Sequence, residues 1–496
     1  MARPATASFR IAAHLFLRAL GAVYAIAFAS LAVQVAGLAG RNGILPAGTL
    51  LEALLTRMGP ERYWQVPTIF WWIGAGDAAL RAACWGGVAA GLAVAAGLAP
   101  RIGLLVCWVL YLSLASVVRT FLNFQWDMLL LETGFLALAL TPRSIWRPLR
   151  GAPEPTRWAL FLMRFLLFRL MFSSGVVKLT SGDRTWRTLR ALDVHYFTQP
   201  IPTWTAWFAH QAPAPLQTVS CAILFGIELG APWLIFGPRR ARLAGCALLL
   251  TLQLLIAATG NYAFFNLLTM ALCLLLLDDA AWPDALRRRA LSLVPPGESA
   301  PLAPARTRAR RIAAGALVGV AVILSTAEMT ARWRLEMRWP GAVLRASEFL
   351  QPLRIVNAYG LFAAMTTTRE EIVVEGSDDG VTWLAYEFPY KPGDLARRPV
   401  FVAPHQPRLD WQMWFAALSD SRRQVWFQSF LARLLQGSPE VLALLEKNPF
   451  PEHPPRYVRA LLYDYHFTDR ATRAATGDWW TRTPVGEYAS PMSLRP

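Results

Sequence analysis

The sequence predicts a mostly α-helical, polytopic membrane protein: a bundle of about nine transmembrane helices carrying a small α/β domain at its C-terminal end. Three observations predict it. Hydrophobic residues make up 55% of the 496 positions and charged residues only 16%. Several apolar runs approach the roughly 20 helical residues that cross a hydrocarbon core. The arginines gather in short connections beside those runs, as the positive-inside tendency requires. The predicted boundary falls at about residue 330, with residues 1–330 as the membrane domain and 331–496 as the soluble one.

Taken in order, the spans are predicted at about His14–Leu38, Ala82–Ala99, Ile102–Val118, Met128–Leu140, Trp158–Val177, Leu216–Phe236, Leu243–Thr259, Tyr262–Leu277 and Ile312–Thr326. The first run exceeds a typical signal-peptide core and reads as a retained anchor. Between the first two, Trp64, Trp71 and Trp72 suit a membrane interface, where an indole sits half wet. Only Gly260-Asn261 separates spans seven and eight, so that reversal could instead be a re-entrant turn.

With the N-terminus inside, the basic connections 142–157, 238–242 and 278–311 share the cytoplasmic face. Segments 41–77, 119–127, 178–215 and the chain after about 330 then lie outside. The net charge of +17 is accounted for by these loops and does not call for nucleic acid. All five cysteines (Cys84, Cys107, Cys221, Cys246 and Cys273) lie in apolar runs without a C-x-x-C pair, which makes them small buried hydrophobes.

In the C-terminal part, REEIVVEG, the turn Ser377-Asp378-Asp379-Gly380 and VTWLAYEF form a hairpin pattern. Helical spacing follows at Arg423–Gly437 and Pro439–Lys447, then a further strand in PPRYVRALLYDYHFT.

Charges within spans cost about 2.5–3.5 kcal/mol each on insertion scales and therefore face partners or water. This chain has Arg18, Glu132, Arg164, Arg169 and Glu228 in such positions. By depth, Glu228 is expected to pair with Arg169 or Arg164, and Glu132 with Arg119 or Lys178. The outer links add Asn123, Asp127 and Asn261.

The densest polar and aromatic stretch is Leu170–His210. It leaves a span through Ser174 and Gly175, meets Lys178, and continues through Gly182, Asp183, Trp186, Asp193, His195, Tyr196, Gln199, Pro200 and His210. A lysine at this position could act as a base if withdrawn from water, or snorkel to the headgroups from the helix end. Asp193, His195 and His210 could serve acid–base chemistry, but their spacing matches no metal-ligand pattern. There is no G-x-S-x-G elbow, P-loop or G-x-G-x-x-G, which argues against a lipase, an ATPase and a dinucleotide enzyme. No cofactor and no metal are expected.

The stretch SGVVKLTSGDRTWRTLRALDVHYFTQPIPTWTAWFAH resembles the signature region of the lipase maturation factor family. So do NFQWDMLLLETGFLA, GNYAFFNLLT, RIVNAYGLFAAMTTTREEIVVEGSDDGVTW, LDWQMWFAAL, NPFPEHPPRYVRALLYDYHFT and WWTRTPVGEY. The resemblance implies a membrane protein that in animals resides in the endoplasmic reticulum and helps secreted lipases mature, its C-terminal domain facing the lumen. The Ala-, Arg- and Leu-rich composition points to a bacterial inner membrane, which turns lumen into periplasm. Implied partners are membrane lipids and a secreted lipase or other exported hydrolase. Trp383, Trp411, Trp414, Tyr457, Tyr463 and Tyr465 are candidates to grip a client, or alternatively to fill the domain's own core.

A more distant similarity, Gly175, Lys178 and Trp186, is to the region of vitamin K-dependent carboxylase that holds its catalytic lysine. It implies an alternative enzyme acting on a lipid-soluble substrate, with Lys178 as base and Asp193 or His195 assisting. A transporter is disfavoured, because no matched pair of broken helices repeats along the chain.

Overall fold

Seven helices among the described residues are long and apolar enough to cross a membrane. The computed structural model describes residues 8–141, 154–285, 287–288 and 304–494, so the expectations placed on the basic connections 142–157 and 278–311 lie in large part outside the described residues. The long helices are α1 (Arg10–Ala32), α2 (Asp77–Ala96), α3 (Pro100–Val118), α5 (Arg157–Thr180), α7 (Ala214–Phe225, prolonged to Leu234), α8 (Arg239–Thr259) and α10 (Pro304–Arg332).

The predicted fourth and eighth spans are shorter. They are α4 (Gln125–Ala137) and α9 (Phe265–Leu274), of 13 and 10 residues. At about 1.5 Å per residue neither helix alone matches a hydrocarbon thickness of about 30 Å. Both legs nevertheless return the chain to the end where α1 begins. Beyond α9, Asp278 accepts from Arg239 and Arg242 at the start of α8, each at 2.8 Å. Asp279 Oδ1 accepts from Ile11 N at 3.0 Å. After α4, Glu154 accepts from Ser8 Oγ and Phe9 N. We call this the basal end of the bundle and the opposite one the capped end. Gly260-Asn261 makes a full reversal at the capped end rather than a re-entrant turn.

Small residues set the closest helix contacts. A Cβ at Gly21 would stand 2.7 Å from Gly91 O, so α1 and α2 can touch backbone to backbone only with glycine there. Arg18 does not pair with an acid. Its Nε donates to Ala95 O at 2.7 Å and satisfies a carbonyl at the end of α2 that has no helical partner.

The C-terminal part covers the capped end. Its antiparallel sheet has the order β2-β1-β3-β4, with β1 at Glu370–Ser377, β2 at Leu384–Ala385, β3 at Tyr457–Phe467 and β4 at Trp480–Met492. The predicted hairpin is β1–β2 and the further predicted strand is β3. The edge strand β4 was not anticipated: most of its side chains are exposed, so it lacks the alternation that marks a half-buried strand. Helix α12 (Arg408–Ala417) precedes α13 (Val425–Leu435), while the helix expected over 439–447 shrinks to Pro439–Leu442. One hydrophobic core runs without a break from Phe16 and Leu167 in the bundle to Ile372, Trp411 and Phe427 above it.

Three buried charged groups fasten the two parts, Arg408 by an ion pair and Arg369 and Glu132 by hydrogen bonds to neutral groups across the junction. Arg408 NH2 meets Asp127 Oδ1 at 3.0 Å while its NH1 donates to Phe121 O at 2.6 Å, and both charged side chains are fully buried. Arg369 NH2 donates to Pro200 O at 2.8 Å and to Glu371 Oε1 at 2.6 Å. Glu132 accepts from Arg169, from Asn357 N at 3.0 Å and from Tyr359 OH at 2.7 Å. Two of the aromatics expected to reach clients, Trp411 and Tyr465, are core residues, at 3% and 0% exposure.

Candidate functional site at Lys178

Helix α5 carries Lys178 into the interior near the capped end, and a local irregularity opposite supplies its partner. Pro232 has no N–H for the carbonyl of Glu228 four residues earlier, and the preceding turn Gly226–Gly230 widens into a π-helix. That turn points Glu228 at α5. Gly175 lets the two elements meet, since a Cβ there would lie 2.6 Å from Leu229 Cδ2 and 3.2 Å from Glu228 Cβ. Lys178 Nζ then donates to Glu228 Oε1 and Oε2, both at 2.8 Å, and to Ser174 O at 3.1 Å.

These contacts correct the expected pairings. Glu228 binds Lys178 rather than Arg169 or Arg164, and Glu132 binds Arg169 rather than Arg119 or Lys178. Lys178 does not snorkel, being 4% exposed and 5.2 Å from the Trp186 ring centroid. Depth counted along ideal helices failed because the π-turn rotates Glu228 and because Glu132 sits on a short leg. Arg164 donates to Leu275 O instead of an acid, at 2.9 and 3.2 Å, and Arg119 is exposed at the capped end.

The pair borders a cavity of about 80 Å³, walled by apolar groups including Leu170, Met171, Leu224 and Ile256. At about 10–15 Å³ per water by this measure it admits several waters, or one slim apolar group. His195 and Tyr262 complete its polar rim. Tyr262 OH donates to Gln199 Oε1 at 2.8 Å, which leaves His195 Nε2, 3.3 Å away, as the donor to the phenol. Nδ1 of His195 then carries a lone pair with no partner among the described residues. Burial, and behind it the charge of Lys178, pushes this imidazole down to about 4. It is neutral at pH 7.

The rest of the stretch is scaffolding of several kinds. Gly182 takes a φ of +85°, after which Asp183 Oδ1 caps the next turn by accepting from Thr185 N at 2.7 Å. Trp186 Nε1 donates to Phe362 O at 2.9 Å, Gln199 Nε2 to Thr259 O at 2.7 Å, and Tyr196 packs partly buried beside them. Asp193 is drawn away by Arg190, and His210 packs on Phe197 and Phe467 at 5.2 and 5.8 Å, so neither lines the cavity. Asn261 Oδ1 accepts from Val402 N at 2.7 Å and Asn123 is exposed. The sequence reading missed Tyr262, Gln253 and Phe362. The string GNYAFFN was the one signal that pointed at Tyr262.

Both carboxylate oxygens of Glu228 and the carbonyl of Ser174 take up the three hydrogen-bonding directions of Lys178 Nζ, so no direction is left free towards the cavity. The arrangement therefore favours a binding or structural role over the carboxylase-like reaction. Family models agree with the architecture. Residues 11–284 match the lipase maturation factor transmembrane domain and residues 355–490 the lipase maturation factor C-terminal domain. The chain is 37% identical to lipase maturation factor 2 of Gallus gallus, over 97% of this chain and 81% of that protein. It is 37% identical to lipase maturation factor 2 of Homo sapiens, over 98% and 83%. Against lipase maturation factor 1 of Bos taurus the identity is 34%, over 99% and 91%. No solved structure matches. With both domains matched and the identity sustained over nearly its whole length, the chain is an integral membrane protein that belongs to the lipase maturation factor family.

Proposed function

We propose that this protein assists the maturation of exported lipases or other secreted hydrolases, acting as a non-enzymatic folding factor. The observation that carries the proposal is the extent of the likeness, which includes the membrane bundle and the C-terminal domain together. The geometry of the capped end supports it. Loop 181–215 and the domain are joined by Arg369 to the carbonyls of Phe197 and Pro200, and by Trp207 Nε1 to Thr468 O at 2.9 Å. A client would meet loop and domain together there, and Phe208, Phe401, Phe415 and Val425 are exposed on these elements.

The same reading assigns a bacterial inner membrane and a periplasmic capped end. The test is deletion of the gene, followed by paired measurement of secreted hydrolase protein and secreted hydrolase activity. Normal amounts with lost specific activity fit a maturation factor. Unchanged specific activity of the exported lipases and other hydrolases would sink it.

A further inference from the structure

A second cavity, at the basal end and remote from Lys178, has no role in the site described above. It measures about 810 Å³ and is bordered by α1, α5, the turn at Gly237 and α8. Four guanidinium groups line it, those of Arg10, Arg157, Arg164 and Arg242, against a single carboxylate, Glu154. Glu154 is already taken, because it accepts from Ser8 Oγ at 2.5 Å, Phe9 N at 2.8 Å and Arg10 Nε at 3.2 Å.

Arg164 is the informative member. Elsewhere this chain matches its deeply buried cations with acids: Arg169 with Glu132, Lys178 with Glu228, Arg408 with Asp127, and Arg369 and Lys391 with Glu371. Arg164 is partly buried and has no carboxylate within 4.0 Å among the described residues. Its Nε and NH2 donate to the carbonyl of Leu275, and its guanidinium lies 4.4 Å from the centroid of Phe9. Arg242 approaches the same ring at 5.1 Å, with one bond to Leu276 O and one to Asp278. Two guanidiniums thus approach one aromatic ring, and of the four arginines only Arg10 and Arg242 have a carboxylate partner among the described residues.

The remaining walls are apolar. Leu160, Phe161, Ile235 and Phe236 come from the spans themselves, and Phe236 is 45% exposed on the outside of the bundle. An occupant therefore needs an anionic, multiply accepting head and a hydrocarbon body continuous with the bilayer. Guanidinium forks match phosphate oxygens in this way, and basic pockets between spans take lipid headgroups. We propose that this cavity binds the phosphate of an anionic phospholipid, with Arg164 and Arg157 as its main ligands and Phe9 holding Arg164 in place.

The test uses the full-length protein purified in a non-ionic detergent. Native mass spectrometry counts retained lipid after addition of phosphatidylglycerol or phosphatidylcholine, and a parallel arm adds inorganic phosphate and follows the melting temperature. Phosphatidylglycerol should be retained in preference to phosphatidylcholine, and retention should fall about tenfold in Arg164→Gln, the loss of one charge-assisted contact. Arg157→Gln alters an exposed side chain and keeps the test open should Arg164→Gln fail to fold. It too should reduce retention. Equal retention of both lipids, or retention undiminished in Arg157→Gln, overturns the proposal. Stabilisation by inorganic phosphate as large as that by phosphatidylglycerol overturns the lipid as the source.

Discussion

Lys178 Nζ lies 2.8 Å from each carboxylate oxygen of Glu228, fifty residues further along the chain, and the two side chains are 5% and 6% exposed. Attraction within such a pair offsets desolvation only while both partners are present, so removing one leaves an uncompensated buried charge. Glu228→Leu and Lys178→Met should each lower stability by about 3–5 kcal/mol. The double variant should recover most of that loss. Unfolding of the four proteins of the cycle, followed by circular dichroism in detergent, checks it, and additive losses would refute the coupling.

Lys178→Arg separates charge from base chemistry. With Glu228 as a planar bidentate partner, arginine keeps the ion pair and removes any possible proton acceptor. Maturation of the hydrolase client should persist in this variant, read as specific activity of the secreted protein. Complete loss, in a protein that melts like the parent, would restore the enzymatic reading.

Gly175 is the narrowest point between α5 and the π-turn. Gly175→Ala places its Cβ 2.6 Å from Leu229 Cδ2 and should destabilise by about 1–3 kcal/mol through overpacking. Leu229→Ala in the same chain should relieve part of that strain. A Gly175→Ala protein with the parent's melting temperature would show that the contact is not tight.

The imidazole of His195 gives the site a pH dependence of known sign. Its folded value of about 4 lies below the ordinary value of about 6.5, so between them the unfolded chain binds the proton and the folded chain does not. Stability is full above about pH 6.5 and drops towards pH 4, by at most about 3 kcal/mol from this group. His195→Gln should flatten that acid limb. Burial lifts Asp410 in the other direction, to about 6, despite hydrogen bonds from the N–H groups of Lys391 and Tyr390, so it stabilises the fold as the pH falls below 6. The comparison of interest is therefore variant against parent at each pH from 4 to 7, by thermal melting.

The tie between Arg408 and Asp127 joins the domain to the bundle at full burial. Arg408→Met strands Asp127 beside the Tyr111 hydroxyl, which lies 2.5 Å from Asp127 Oδ1. The expected loss is about 3–5 kcal/mol, detectable as earlier proteolysis of the C-terminal part. An unchanged cleavage rate would mean that the domain is held mainly by apolar contacts.

Long apolar runs, the hairpin at β1–β2 and strand β3 were readable because burial leaves a period in the sequence, 3.6 for helices and 2 for strands. Strand β4 was not, because it lies at an edge and buries little. The candidate site was half readable. Lys178, Trp186 and His195 stood out as costly groups in one stretch, but their partner Glu228 was assigned elsewhere. Pairing depends on how helices rotate and where one widens, and Pro232 signals that only when the segment is already known to be helical. Arg369 and Arg408 carry no local signal of their role, since nothing near them in the sequence records that the carbonyls and the carboxylate they reach lie in the bundle.

One contact sets a clock on synthesis. Ser30, at the top of the first span, accepts from Gln406 N at 2.8 Å, across 376 residues of chain, and Gln34 holds Arg408 N at 2.9 Å. At about 5–20 residues per second the ribosome needs roughly 20–75 s to deliver those partners. During that interval Asp127 and Glu132 are in the nascent bundle without Arg408, Asn357 or Tyr359, the groups that close around them in the finished molecule. The first-made two thirds of the chain must therefore wait, incompletely assembled, for the last third. A protein proposed to shepherd the folding of others thus has a vulnerable interval in its own biogenesis.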